Sequence, residues 1–313
     1  MQLGRIDLRL GVSMLAATSR HVADCPDLGP ECAGPLKPTP FNHQVDLVTS
    51  DVSLDVAYGV TEWLAFEARL ALRLVDLTPT YTELDRRPKS VPDDPHHHDV
   101  TLAGPTDPWL VLRFASAFGD LRTAARVGVT LPIGGTEPNP YELGARGEYH
   151  EHTQLGTGTF VPIVGAGVSY TLDPVELDLS ALGFFSLYEN REGFRAPSRM
   201  FLSLRATVPL LDGALRPYVA LDLARQAGER WDGAPGLEGD DERTELLLGG
   251  GLAWTFADPW QAQIGVRGRL AKLTDAAGFD YPGILDLGLS THFDVGPKRR
   301  DAGKGGAAKR GAR

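Results

Sequence analysis

The sequence is poor in cysteine, and it lacks any long apolar run of the kind that forms a membrane-spanning helix. Two cysteines occur among 313 residues, and the formal net charge of −10 argues against a surface that binds nucleic acid. The longest uncharged run, Thr153 to Leu172, is interrupted by glycines and by Pro162, which disfavour a helix. Arg5 and Asp7 interrupt the first apolar stretch too early for a signal peptide. We therefore expect neither a signal peptide nor a transmembrane helix in this chain.

What the sequence has instead is a regular alternation of apolar residues with polar or small ones. In RIDLRLGVSM, the apolar residues at 6, 8, 10, 12 and 14 are separated by Asp7, Arg9, Gly11 and Ser13. A period of two places the apolar side chains on one face of a β-strand. The alternation recurs and predicts twelve strands, with apolar sets within 6–14, 52–60, 64–74, 110–118, 125–131, 164–170, 175–181, 200–208, 215–223, 246–256, 260–270 and 285–293.

The connections between these strands alternate between short and long. The short ones, such as Gly119-Asp120 and Asp173-Pro174, consist of residues that favour hairpin turns. An even number of strands with turns at one end and long loops at the other is typical of an outer-membrane barrel. The fold predicted is a transmembrane antiparallel up-and-down β-barrel of about twelve strands, with short periplasmic turns and long extracellular loops at 18–42, 76–100, 132–160, 189–198, 226–243 and 272–281.

A soluble β-sandwich would also account for the alternation within any single strand, but the aromatic residues favour the barrel. Aromatics of the apolar faces gather at the short-turn end, as expected of an interfacial girdle: Tyr58, Phe118, Tyr170, Trp254, Phe256, Trp260 and Phe293. Phe185 marks a thinner girdle at the other end. Three prolines within or beside strands, Pro162, Pro209 and Pro217, predict bulged or ragged strand ends.

The face opposite the apolar one is rich in charge, and in a barrel this face lines the interior. The predicted lumen-lining residues are Arg5, Arg9, Glu67, Arg69, Arg73, Arg113, Arg126, Asp178, Arg205, Asp222, Glu245 and Arg267. We expect the arginines to pair across the lumen with Glu67, Asp178, Asp222 and Glu245. Eight strands enclose a filled interior and sixteen a wide channel, so twelve predict a narrow lumen.

Other chemistry-bearing residues lie mostly in the long loops. Cys25 and Cys32 lie in the first long loop, where a disulfide is favoured over a metal or redox pair. Histidines lie in two further loops, and we expect them to be solvated rather than to bind a metal: His96, His97, His98, His150 and His152. Ser290 and His292 stand two apart on the last strand with interior parity. We predict no catalytic residues, no metal and no cofactor.

The domain organisation follows from the strands and from the charge at the end of the chain. Residues 1–295 are predicted to form the barrel domain. Residues 296–313 carry seven basic residues and one acid, and we expect a disordered basic tail.

Three stretches of the chain carry recognisable motifs: GPTDPWLVLRF (Gly104–Phe114), GVTLPIGG (Gly128–Gly135) and QLGTGTFVPIVGAGVSYTL (Gln154–Leu172). They resemble the MetA-pathway phenol-degradation family of outer-membrane β-barrel transporters. The family has a Gly-Asp strand start where this chain has Thr106-Asp107, and Ile133 and Thr159 are further departures. The last strand also resembles a barrel-assembly signal, with Gly288 five residues before Phe293. The resemblance implies an outer-membrane barrel that passes small, often apolar compounds.

The function predicted is therefore passive passage of small solutes, apolar or aromatic ones among them, through a narrow charge-lined lumen in the outer membrane of a Gram-negative bacterium. We expect contact with outer-membrane lipid and lipopolysaccharide, insertion by the barrel-assembly machinery, and no nucleic-acid partner. The alternative is a structural or adhesive barrel with a plugged lumen and binding loops. A third is a lipid-modifying enzyme using Ser290 and His292.

Overall fold

The computed structural model describes residues 2–23, 41–88, 99–146, 148–236, 242–274 and 280–295. One short helix, α1 (Pro140–Ala145), is present in these ranges. No helix within them is long and apolar enough to cross a membrane. The described strands are β1 (Arg5–Ala23), β2 (Phe41–Gly59), β3 (Leu64–Glu83), β4 (Val100–Pro105), β5 (Trp109–Phe118), β6 (Leu121–Thr130), β7 (Val161–Leu172), β8 (Val175–Phe184), β9 (Phe194–Arg195), β10 (Arg199–Thr207), β11 (Leu215–Gln226), β12 (Arg230–Trp231), β13 (Ala234–Pro235), β14 (Arg243–Ala257), β15 (Trp260–Lys272) and β16 (Ile284–Asp294).

Twelve of these strands form a closed antiparallel barrel. Their order around the wall is β1, β2, β3, β5, β6, β7, β8, β10, β11, β14, β15 and β16, and β16 pairs with β1. Leu10 of β1 stands opposite Leu54 on one side and Leu289 on the other, so apolar residues share a face across the closing seam. The predicted fold class is confirmed.

The outer face of the barrel is an exposed belt of apolar side chains, of which Leu10, Leu72 and Leu248 are examples. Aromatic residues of the short-turn end lie on this face, as the alternation predicted, and each is at least partly exposed. Trp63, in the turn between β2 and β3, is also exposed and adds to this girdle. At the other end Phe160 and Tyr188 are exposed beside the position predicted for the second girdle.

The first three strands are longer than the apolar alternation predicted. β1 continues to Ala23, β2 begins at Phe41, and β3 continues to Glu83, so loops 18–42 and 76–100 begin too early in the prediction. The extensions are held by polar side chains: the Thr18 hydroxyl donates to Asp46 at 2.7 Å. Because these segments extend past the apolar belt, they carry polar residues on both faces and lack the period-two signal.

An interruption divides one wall strand into β4 and β5. β4 pairs with β3 over residues 72–77, and β5 pairs with the same strand over 64–69. The Thr106 amide between them donates to the Ala71 carbonyl at 2.9 Å, and the Pro108 carbonyl accepts from the Leu131 amide at 2.9 Å. The prediction placed no strand at 100–105, because the short β4 has too few residues for a recognisable alternation.

Of the two irregularities predicted for the prolines, bulged or ragged strand ends, the register shows no bulge at Pro162 or Pro217. Pro162 and Pro217 lie in regular register, opposite Val129 and Leu252, and their carbonyls still accept backbone hydrogen bonds. Pro209 follows the end of β10. The register shifts are between β14 and β15 instead, at Leu246/Leu247 and Thr255/Ala257. Proline near a strand end removes one donor but leaves its acceptor, which these positions accommodate.

The long loops at one end form a compact assembly, which we call the loop cap: α1, β9, β12 and β13. β9, β12 and β13 make a small sheet. Phe194, Ala196 and Trp231 are buried in it, and Tyr141 of α1 packs against them. Cys25, Cys32, the histidines at 96–98 and the tail at 296–313 lie outside the described residues, so the disulfide and the division into barrel and tail stay predictions.

Candidate functional site: the barrel interior

Charged side chains of different strands meet on the face opposite the apolar belt. Arg126 of β6 binds Glu67 of β3, with Nε 3.0 Å from Oε2, and Arg113 of the intervening β5 binds Oε1 at 3.0 Å. Arg126 reaches Glu67 across β5, and Arg113 of β5 contacts the same carboxylate, so the three side chains must lie on one face of the sheet. Glu67 therefore holds two arginines on the interior side of the wall.

A second charged group joins β11, β15 and β16. Arg267 binds Asp286 at 2.8 Å and lies 3.8 Å from Asp222. Between β11 and β15 stands Gly249 of β14, where an added Cβ would lie 2.5 Å from the Arg267 side chain. The absence of a side chain at Gly249 lets the arginine extend across the strand toward Asp222.

Further pairs lie on the same face, most of them between neighbouring strands or within one strand. Arg73 binds both oxygens of Asp51, at 2.7 and 2.8 Å, and Arg69 lies 3.7 Å from Asp55. Asp51 and Asp55 belong to the interior face, and the prediction omitted them although they alternate with Val52 and Leu54 on β2. On the same face, Arg5 pairs with Asp7 within β1, Arg269 with Glu245 of the neighbouring β14, and Arg216 of β11 with Glu176 of β8, across β10.

Glu245 also accepts a hydrogen bond from the Tyr281 hydroxyl at 2.7 Å. Burial raises the pKa of Tyr281 well above the ordinary value of a tyrosine, and the bond to Glu245 raises it further. The phenol therefore keeps its proton and remains a donor to the carboxylate. This contact attaches the loop that precedes β16 to β14.

The prediction that Asp178 and Arg205 take part in interior ion pairs is wrong. Asp178 accepts a hydrogen bond from the Ser169 hydroxyl at 2.5 Å and forms no ion pair with the described arginines. Arg205, which stands opposite Asp178 in the register, places its guanidinium 4.2 Å from the centroid of the Tyr218 ring. Parity assigns a residue to a face, but it does not select one partner among the neighbours on that face.

Part of the interior is apolar, which the prediction of a charge-lined lumen missed. Val111, Val161, Ile163 and Phe184 are buried together against Trp109 and Leu182. The Trp109 and Phe184 ring centroids are 4.7 Å apart, and Arg69 lies over Trp109 at 5.0 Å. The uninterrupted apolar run WLVL at 109–112 is the sequence signal, because a strand that is apolar on both faces lacks alternation.

Asp107, in the interruption between β4 and β5, holds the third long loop against the barrel. Its Oδ1 accepts from the amides of Ile133 and Gly134, at 3.1 and 2.8 Å. Its Oδ2 accepts from the amide and the hydroxyl of Thr157, at 2.8 and 2.7 Å. One largely buried carboxylate thus fixes both ends of the loop at 131–160.

Glycines allow the two ends of this loop to meet. An added Cβ on Gly134 would lie 2.6 Å from Gly156, and the reverse substitution would clash equally. The Gly156 amide donates to the Gly135 carbonyl at 2.8 Å. The two ends of the predicted long loop are therefore held together against the barrel.

His150 corrects the expectation of solvated loop histidines. It is only 5% exposed, it lies within 2.9 Å of the Glu148 carbonyl, and its ring contacts that of His152. His152 in turn contacts Tyr141 of α1. Across the described residues, no three His, Cys, Asp or Glu side chains are grouped to hold a metal ion. His150 packs under α1, where Gly144 provides the space.

Two more residues singled out from the sequence, Arg9 and Ser290, each contact the neighbouring strand. Arg9 lies beside Gly288, where an added Cβ would meet the guanidinium at 3.1 Å. The Ser290 hydroxyl donates to the Gln261 carbonyl at 3.5 Å. That all of these side chains line a path for solute stays a prediction.

No family model matches the sequence, and no curated protein matches it. Among solved structures, the chain is similar to an outer membrane channel from Pseudomonas putida F1, with a TM-score of 0.59 and 14% identity over 94% of this chain and 97% of that chain. The deltaS2S3 mutant of the TodX monoaromatic hydrocarbon channel matches at a TM-score of 0.48 and 9% identity, covering 94% and 91%. The CymD monoaromatic hydrocarbon channel matches at 0.43 and 10%, covering 94% and 89%.

The similarity to the Pseudomonas putida structure shows a shared fold. The chain therefore has the architecture of an outer-membrane β-barrel, which is the fold that the resemblance of its motifs implied. At this identity the likeness extends to the path of the backbone and not to individual interior residues.

Proposed function

We propose that this protein is a passive outer-membrane channel for small solutes, whose path is the interior of the barrel. One observation carries the proposal: side chains of the interior face are exposed. Phe201 has interior parity and contacts Phe184, yet 41% of it is exposed, and Ser180 on the neighbouring strand is exposed as well. A filled interior would bury both. Space beside these side chains supports an unfilled lumen.

The setting of the channel is part of the same proposal. The similar Pseudomonas putida protein is an outer membrane channel, and we extend that location to this chain. The exposed apolar belt would contact membrane lipid, with lipopolysaccharide in the outer leaflet. The last strand, β16, which ends near Phe293, would be recognised by the barrel-assembly machinery. Passive passage requires no catalysis and no cofactor. Residues 1–295 would form the channel and 296–313 a basic tail.

Single-channel recording in planar bilayers tests the proposal. We expect discrete conductance steps from the wild type, and larger steps with a shift toward cations from Arg126→Ala and from Arg205→Ala. Each substitution removes bulk and one positive charge from the interior. Glu67 keeps its ion pair with Arg113 when Arg126 is removed, and Arg205 has no described acid to leave unpaired, so both barrels should still assemble.

The matched control is Arg225→Ala, whose arginine pairs with Glu242 at the loop end, outside the interior, and which should leave the conductance unchanged. Heat-modifiable migration confirms folding in every case. Silent wild type and silent variants, all folded, would refute the channel.

That outcome would favour the second candidate, a barrel whose loop cap binds a partner. The compact packing of Phe194, Trp231 and Tyr141 is the observation that supports it. The enzyme alternative is addressed by a lipid-hydrolysis assay with Ser290→Ala, for which we expect no change.

A further inference from the structure

A cluster of aromatic rings with one arginine occupies the interior at the long-loop end, and we call it the aromatic site: Trp109, Phe184, Arg199 and Phe201. Trp109 begins β5, Phe184 ends β8, and Arg199 begins β10. Phe184 stands opposite Arg199 in the register, and Arg199 precedes Phe201 by two residues on β10. All four side chains therefore belong to the mouth of the interior beneath the loop cap.

The rings form a connected apolar surface with one open side. Phe184 is buried between Trp109, at 4.7 Å, and Phe201, at 6.4 Å in an edge-on arrangement. Phe201 is the most exposed of the three rings. An exposed aromatic ring on the interior face offers a stacking surface to a planar solute.

Arg199 provides a positive charge beside these rings without an acid to neutralise it. Its guanidinium carbon lies 5.4 Å from the Phe184 ring centroid. It forms no ion pair and donates no side-chain hydrogen bond to any residue that the structure describes. The guanidinium donors thus have no acceptor among the described residues, and the Arg199 residue is partly exposed.

Two arginines and two aspartates are the charged neighbours that act on Arg199. Arg199 is repelled by Arg73 and Arg243 and attracted by Asp51 and Asp107. Asp51 is already engaged by Arg73 through two bonds, and Asp107 by four donors of the loop at 131–160. Arg243 donates to Gln226 and has no described ion pair. The charges of Arg199 and Arg243 therefore lack local compensation.

We propose that the aromatic site binds a small aromatic carboxylate, such as benzoate, during its passage through the barrel. The ring of the ligand would stack against Phe201 and its carboxylate would accept two bonds from Arg199. A neutral aromatic compound would gain only the stacking contacts, and an aliphatic acid only the charge. The inference rests on the proposed channel, since it names the solute class that the interior prefers.

Isothermal titration calorimetry of the refolded full chain in lipid nanodiscs tests this. We expect wild-type protein to bind benzoate at least about 10-fold more tightly than benzyl alcohol or acetate. Arg199→Gln should weaken benzoate binding by about 10-fold or more, because a charge-assisted pair is lost. Phe201→Leu should reduce the preference for benzoate over acetate. Arg122→Gln is the matched control: it removes an interior-parity arginine without an ion pair at the opposite end of β6, and binding should persist.

The binding measurement separates the inference from the channel itself. Conductance without preferential benzoate binding would overturn the aromatic site and leave the channel intact. Benzoate binding by a folded but silent barrel would keep the site and refute passage. Equal loss in Arg199→Gln and Arg122→Gln would show a general effect of charge and also overturn the inference. If Arg199→Gln fails to fold, an unchanged preference in Phe201→Leu would overturn it.

Discussion

At the scale of single residues, the carboxylate of Asp107 holds both ends of the loop at 131–160 in place. Its two oxygens accept four hydrogen bonds from Ile133, Gly134 and Thr157. The position coincides with the break between β4 and β5, where backbone groups lose their strand partners. The carboxylate supplies acceptors to donors at both ends of the loop, outside the strand ladders.

Asp107→Asn should therefore release the loop at 131–160. The amide nitrogen would replace one acceptor oxygen and face donors, so either rotamer loses two bonds, which costs about 1–3 kcal/mol. We expect faster proteolysis within the loop while the barrel keeps its heat-modifiable migration. Asp85→Asn, in an exposed turn beside Arg87, is the control and should leave cleavage unchanged. Equal protection of wild type and Asp107→Asn would refute this role of the carboxylate.

The contacts of single residues were less predictable from the sequence than the strands were. Alternation placed Glu67, Arg113 and Arg126 on one face, and they meet there. It did not indicate that Arg205 would contact Tyr218 rather than Asp178, because the contact depends on the three-dimensional neighbours of the side chain and not on parity. His150 was missed for a related reason, since burial under α1 depends on how the loop folds.

At the scale of elements, the strands were predictable where lipid requires alternation and unpredictable elsewhere. β10, with Met200, Leu202 and Leu204 on its outer face, is recognisable because every second side chain contacts the membrane in a barrel. The polar extensions of β1 to β3 have no such constraint, and neither has β4. β5 was predicted from its apolar set within 110–118, but the apolar residues on its interior face weaken the polar half of the pattern, so the apolar lining was missed.

Substitutions on the outer face test this reading of the strands. Leu204 and Leu248 lie on the exposed apolar belt, so Leu204→Arg and Leu248→Arg should each lower the free energy of unfolding by roughly 2–4 kcal/mol near the bilayer midplane. Leu211→Arg, in the turn between β10 and β11, makes the same chemical change outside the belt and should cost little. Refolding titrations into lipid vesicles measure all three variants. Similar midpoints for the belt and the turn variants would contradict a lipid-facing belt.

At the scale of the whole molecule, closure of twelve strands creates an interior whose lining is mixed. Ion-paired groups around Glu67 and Arg267 share the interior with the apolar surface around Phe184. Paired charges reduce the cost of placing ions in a narrow lumen. Glycines such as Gly249 allow long side chains to extend along the wall instead of across the opening. The interior face thus combines separate groups of paired charges with the partly exposed ring of Phe201.

The central claim is that solute passes through this interior, and modification of one interior position during recording tests it most directly. In a background with Cys25→Ser and Cys32→Ser, a small anionic thiol reagent would be added to channels carrying Ser203→Cys or Leu204→Cys. Ser203 shares its face with Asp222 and Ser180, and its neighbour Leu204 belongs to the outer belt. We predict that the reagent lowers the current of Ser203→Cys and leaves that of Leu204→Cys unchanged. An unchanged current after complete labelling of Ser203→Cys, verified by mass, would contradict passage through the barrel.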